Sequence, residues 1–83
     1  MKYLFAGSMK NEEFDHIITM TGLRSEGMKT SLKSHLVNGA SEALATIGND
    51  VSQSNFSRDL RKVEKVFSDI VKYNEIIGVQ RIT

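Results

Sequence analysis

From Ser52 to Lys65 the chain reads Ser-Gln-Ser-Asn-Phe-Ser-Arg-Asp-Leu-Arg-Lys-Val-Glu-Lys. Wound into a helix with Phe56 facing inward, this stretch puts Ser54, Arg58, Arg61 and Lys65 on the opposite face, flanked by Ser57 and Lys62. Guanidinium, ammonium, amide and hydroxyl groups on one face are the set that reads base edges and holds phosphates in a DNA groove. Arg58 and Arg61 are the candidates for base or minor-groove contact, with Ser54, Asn55 and Ser57 as polar readers. Lys62 and Lys65, with Ser52, Gln53 and the free N–H groups of the helix start, are candidates for positioning phosphates. Lys29 and Lys33 are further phosphate candidates from an earlier helix. A charged helix face is also the ordinary way to meet solvent, so composition alone does not separate the two readings.

What favours DNA is the stretch just before it. Gly39–Val63 reads as a short helix, a tight turn at Gly48-Asn49-Asp50, then a longer helix, in the order of a helix-turn-helix. Ser41 caps the short helix and Ser52 the longer one. Leu44 and Ile47 are expected to form the inward face of the short helix, and Val51 to plug the turn.

The rest of the chain supplies the frame. Ser8 is a candidate cap for a first helix, with Glu12 and Glu13 in its first turn and Phe14, Ile17 and Ile18 on its apolar face. Gly22 ends it. Ser25 caps a second helix carrying Met28, Leu32 and Leu36, which stops at Asn38-Gly39. In the fourth helix Phe56, Leu60, Val63, Phe67 and Ile70 recur at steps of four and three. The stripe outlasts the needs of a small core, so Val66, Val71 and Tyr73 are available to another subunit. The expectation is an all-α, four-helix domain spanning the whole chain, with helices at roughly 9–21, 25–37, 41–47 and 52–74. An N-terminal arm brings Leu4 and Phe5 onto the first helix, and Ile76 to Thr83 form a short tail, read as extended.

Composition agrees. Eighty-three residues make one small domain, which a partner subunit would help to stabilise. There is no proline to interrupt a helix and no cysteine for disulfides or thiolate metal sites. The net charge of +1 says nothing for nucleic acid, so a DNA contact must rest on a local patch. His16 and His35 are not spaced as ligands, and no nucleophile–base set or phosphate-cradling glycine loop appears. No enzyme activity, metal, cofactor or small-molecule ligand is expected. Neither a secretory signal nor a membrane span is present in the sequence, which fits a cytoplasmic, nucleoid-associated protein.

The ordered segments Gly7-Ser8-Met9, Phe14, Gly22-Leu23-x-Ser25, Lys33-x-x-Leu36-Val37-x-Gly39-x-Ser41 and Phe56-Ser57-x-x-Leu60 resemble the PapB-type regulators of adhesin biosynthesis. Gly39–Val63 is also similar to the helix-turn-helix of KorA-like plasmid repressors. The resemblance implies an all-helical DNA-binding regulator that acts as an oligomer on repeated AT-rich sites upstream of fimbrial genes. Two features depart from the family pattern. Glu42 stands where a basic residue is usual, and the bulky apolar positions of the third helix fall on Ala45 and Asn49. The alternative is a protein-interaction module that pairs with another regulator, through its long fourth helix, without touching DNA.

Overall fold

The computed structural model describes residues 3–82, with side chains described as far as residue 78. Four helices follow one another: α1 (Asn11–Thr21), α2 (Glu26–Leu36), α3 (Glu42–Gly48) and α4 (Gln53–Ile82). One core joins them, with Phe14, Ile17 and Ile18 from α1, Met28, Leu32 and Leu36 from α2, and Phe56, Leu60 and Val63 from α4. These are the residues whose three- and four-residue spacing marks the apolar faces in the sequence.

The caps explain where most helices begin. Ser25, Ser41 and Ser52 each accept a hydrogen bond from the backbone N–H three residues on, at 3.2 Å. Gly22 closes α1 in the left-handed conformation, at φ 74°. Ser8 does not cap α1. Its hydroxyl accepts from Phe5 N–H at 3.2 Å, and the helix starts two residues later, where Glu13 accepts from Lys10 N–H at 3.0 Å.

The N-terminal arm is tied down at both ends. Glu64 accepts the backbone N–H groups of Tyr3 and Leu4 with its two carboxylate oxygens, at 2.8 and 3.1 Å. Farther along, Gly7 and Met9 donate to the last carbonyls of α2, at His35 and Leu36, satisfying groups that a helix end leaves open. Leu4 is buried as expected, but Phe5 is 68% exposed and does not pack on α1.

Two further expectations are corrected. In α3 the inward residues are Ala45 and Thr46, whereas Leu44 and Ile47 are 68% and 78% exposed. The cause lies on α2. Its facing residues include Gly27, which sits against the Asn49 carbonyl and Val51, and the fully buried Ser31, whose hydroxyl donates to the Ala45 carbonyl at 3.0 Å. Small residues draw the two backbones together, and only the smallest apolar side chain of α3 fits the contact. Asn49 Nδ2 donates to the same carbonyl at 2.9 Å, which fixes the phase again. An Ala45→Leu substitution is therefore expected to cost about 1–3 kcal/mol by overpacking. Leu44→Ala should stay within about 0.5 kcal/mol of wild type, as for an ordinary surface change. Urea titrations of both variants check the contrast.

The second correction concerns α4, which does not stop near Asn74 but continues to Ile82. Residues 74–77 contain neither glycine nor proline, and each added residue gains a helical hydrogen bond once the helix is nucleated. From Ile76 to Ile82 the segment read as an extended tail is the last two turns of this helix, and Thr83 lies outside the described residues. At 30 residues α4 spans about 45 Å by its rise per residue. It gives the molecule its 50 Å long axis.

Candidate nucleic-acid interface

Helices α2, α3 and α4 pack on one another, and α3 and α4 are joined by a tight turn. Asp50 adopts a left-handed conformation there (φ 53°), and Val51 N–H donates back to the Thr46 carbonyl at 3.0 Å. An aspartate at positive φ is tolerated because its short polar side chain accepts that region more readily than most. The reversal delivers α4 with Phe56 driven fully into the core, so the residues opposite Phe56 must face outward. Ser52, Gln53, Ser54, Asn55, Arg58, Arg61, Lys62 and Lys65 are all exposed and Ser57 is partly exposed. The sequence-derived face thus exists as one surface. At its start Ser52 Oγ serves as the cap, while the N–H groups of Gln53 and Ser54 lie in the first turn, where the helix dipole favours an anion.

The cations on this face are not equivalent. Arg58 holds Asp59 with two parallel bonds, Nε to Oδ1 at 3.0 Å and Nη2 to Oδ2 at 3.2 Å, and its third nitrogen donates to Asn55 Oδ1 at 3.3 Å. Lys62 Nζ lies 3.5 Å from the same carboxylate. Lys65 pairs with Asp69 one turn on, at 2.8 Å. Arg61 makes no ion pair with a described residue. Two carboxylates therefore offset part of the positive charge, and Arg61 is the arginine whose donors are all available to a ligand. Asn55 and Arg58 are pre-positioned by their mutual bond and by Asp59.

Asp59, to which the sequence analysis assigns no role, is the organising residue. Its side chain is 4% exposed. The signal for it was Lys62 three residues on and Arg58 next door, around an acid within one turn of Phe56. The hydrogen bonds from Arg58 hold its carboxyl below the usual aspartate range, against the opposing effect of burial, with further help from the charges of Arg58 and Lys62. A depressed folded-state value stabilises the fold at every pH above the unfolded value. That contribution fades as pH falls below the ordinary value of about 3.9 and through the folded one. The stability advantage of wild type over Asp59→Asn is thus expected to be flat above about pH 5 and to shrink below about pH 4. Thermal melts of both proteins across that range measure it.

Helix α1 contributes a neighbour that the sequence did not single out. It runs antiparallel to α4, with Met20 and Thr21 beside Arg61, Lys62, Lys65 and Val66, and with Glu13 and His16 toward Ile70 and Asn74. Met20 is 52% exposed and forms an apolar edge along the cationic face.

Lys29 and Lys33, the phosphate candidates on α2, are elsewhere. Lys29 pairs with Glu26 at 3.3 Å and Lys33 lies 3.8 Å from Asp15, and both line a hollow formed by α1 and α2 alone. The structure does not bring them together with the α4 cations in that hollow. His35 is buried, with Nδ1 2.7 Å from the Ala40 carbonyl and its ring edge-on to Phe56. Among the described residues no three His, Asp or Glu side chains converge as a metal-ligand set. No helix among them is long and apolar enough to cross a membrane.

The fold recurs in the crystal structure of FocB from E. coli. The match has a TM-score of 0.84 and 22% sequence identity, and covers 89% of this chain and 84% of that one. No curated protein sequence matches the chain. The family model for PapB, the adhesin biosynthesis transcription regulatory protein, matches residues 1–77. The chain therefore belongs to the PapB family of adhesin biosynthesis transcription regulatory proteins.

Proposed function

We propose that this chain regulates adhesin (fimbrial) operons by binding AT-rich promoter DNA as an oligomer in the cytoplasm, on the nucleoid. The observation that carries the reading is the exposed face of α4 from Ser52 to Lys65, delivered by a tight turn and anchored by Phe56. Arg61, with Ser54, Asn55, Ser57 and Arg58, is the reading set in a groove. Lys62, Lys65, Ser52, Gln53 and the N–H groups of the α4 start hold phosphates. Family membership supports regulation of transcription, for which contact with DNA is the direct route.

Mobility shift of an AT-rich adhesin-promoter fragment against a GC-rich control, at matched salt, tests the reading. A shift of the AT-rich fragment at lower protein concentration is the expected result, and no shift of either at micromolar protein would contradict it. The second reading, an interaction module that pairs with another regulator, is favoured by Tyr73 and Ile76. These lie 63% and 56% exposed on the distal half of α4. It predicts no shift of either fragment.

A further inference from the structure

Asn55, Arg58, Asp59 and Lys62 lie three and four residues apart and so share one edge of α4. Asp59 is buried and the other three are exposed. Adjacent residues on a helix do not ordinarily face each other. Arg58 nevertheless turns back on its neighbour and grips it through Nε and Nη2, at 3.0 and 3.2 Å. A buried carboxylate has to be met by donors, and a planar fork meets it at two points. The grip fixes a guanidinium that would otherwise swing on a flexible stem.

The third nitrogen carries that constraint to Asn55, where Nη1 donates to Oδ1 at 3.3 Å. A guanidinium has donors and no acceptor, so the end of the amide that meets it must be the carbonyl oxygen. The NH2 end of Asn55 makes no hydrogen bond with a described residue. Arg58 keeps one unspent N–H on each of Nη1 and Nη2, and Asn55 keeps both N–H groups of Nδ2. This edge of α4 therefore offers donors to a ligand. The pairing by which asparagine reads adenine needs the amide oxygen turned to the base, which would break the bond to Arg58.

We propose that Asp59 is a positioning residue for base reading: through Arg58 it holds the Asn55 amide with its NH2 end offered to the base, so that Asn55 reads acceptors on a base edge and turns away amino groups. That role rests on the reading of the α4 face as the surface that meets DNA. Its loss has a signature unlike that of a lost contact. Without the Asp59 charge, Arg58 and Lys62 are released as free cations, so attraction to any phosphate backbone is kept or raised while base preference falls. A merely structural role would weaken binding to all duplexes alike.

Double-mutant cycles on the full chain test it. Asn55→Ala is combined with Asp59→Asn and, separately, with Arg58→Lys, which keeps the charge and loses the fork. Circular dichroism verifies folding. Asn55 and Arg58 are both exposed, so the second cycle stands even if Asp59→Asn does not fold. Anisotropy titrations with AT-rich and GC-rich duplexes give the ratio of the two affinities. Each single change is expected to lower that ratio about fivefold or more, the low end for one base contact. In either double variant Asn55→Ala should add less than about twofold, because the amide is already unfixed. The Asp59→Asn variant should bind the GC-rich duplex at least as tightly as wild type. Losses that multiply in both cycles would overturn the proposal, as would an Asp59→Asn variant that weakens both duplexes equally. The grip itself is read without DNA. The Arg58 Nε–H should exchange with water more slowly than that of Arg61 in wild type, and equally fast in Asp59→Asn; equal exchange in wild type would overturn the proposal. A wild type that binds neither duplex would overturn the DNA-binding reading and this role together, whereas selective wild-type binding with multiplying losses would overturn this role alone.

Discussion

Phe56→Ala is expected to lower stability by about 3–5 kcal/mol, the range for truncating a fully buried aromatic. Phe56 is fully buried and meets the edge of the His35 ring at a centroid distance of 5.8 Å. It lies among the buried residues that join α2 and α4, directly behind the helix face proposed to meet DNA. A domain of this size has only about 5–15 kcal/mol in all. At roughly 4–8 °C per kcal/mol, Tm should fall by more than about 12 °C. Thermal denaturation followed by circular dichroism measures this. A loss below about 1 kcal/mol would mean that the core closes without Phe56, and the orientation of α4 would lose its anchor.

Arg61→Ala is expected to reduce promoter affinity by about 1–3 kcal/mol, roughly five- to 150-fold, if its free guanidinium reads a base. Lys65→Ala should act differently. Its ammonium already pairs with Asp69, and as a phosphate contact it should weaken all sequences alike and reduce the salt slope by about one. Anisotropy titrations of AT-rich and GC-rich duplexes at several salt concentrations separate the two behaviours. Equal losses on both duplexes for Arg61→Ala would move that residue from reading to positioning. Both residues are exposed, so neither change should disturb the fold.

The contrast between Arg61 and Arg58 could not be drawn from the sequence. Helical periodicity places both on one outward face, and it does so correctly. It says nothing about which side chain is already engaged. That depends on Asp59 being buried beside Phe56, where its carboxylate needs the two bonds that Arg58 supplies. A buried charge demands a partner, so the arginine next to it is tethered while the one three residues on stays free.

The core of α1, α2 and α4 was legible because each helix runs at least three turns and carries bulky apolar residues at regular steps. Helix α3 was not. Seven residues make two turns, too few for a period to declare itself. The bulkiest side chains, Leu44 and Ile47, pointed to the wrong face because the contact selects for closeness rather than bulk. Ser31 and Gly27 on α2 admit Ala45 and exclude a larger residue. The inward position of Ala45 agrees with the family spacing that the apolar pattern of α3 had contradicted. The departure that remains on this helix is Glu42, and no lysine or arginine stands between Lys33 and Arg58. The end of α4 was misplaced for a related reason. Asn74 is a mild helix breaker, and a long helix already nucleated passes through it.

The central claim is that the outer face of α4, from Ser52 to Lys65, is where the protein meets DNA. Amide chemical shifts of isotope-labelled protein, followed while an AT-rich duplex is added, test it most directly. The shifts are predicted to concentrate on Ser52–Lys65, with Arg61 among the largest, and to weaken with salt. Shifts confined to the α1–α2 hollow around Lys29 and Lys33 would contradict the account, as would a spectrum that does not change.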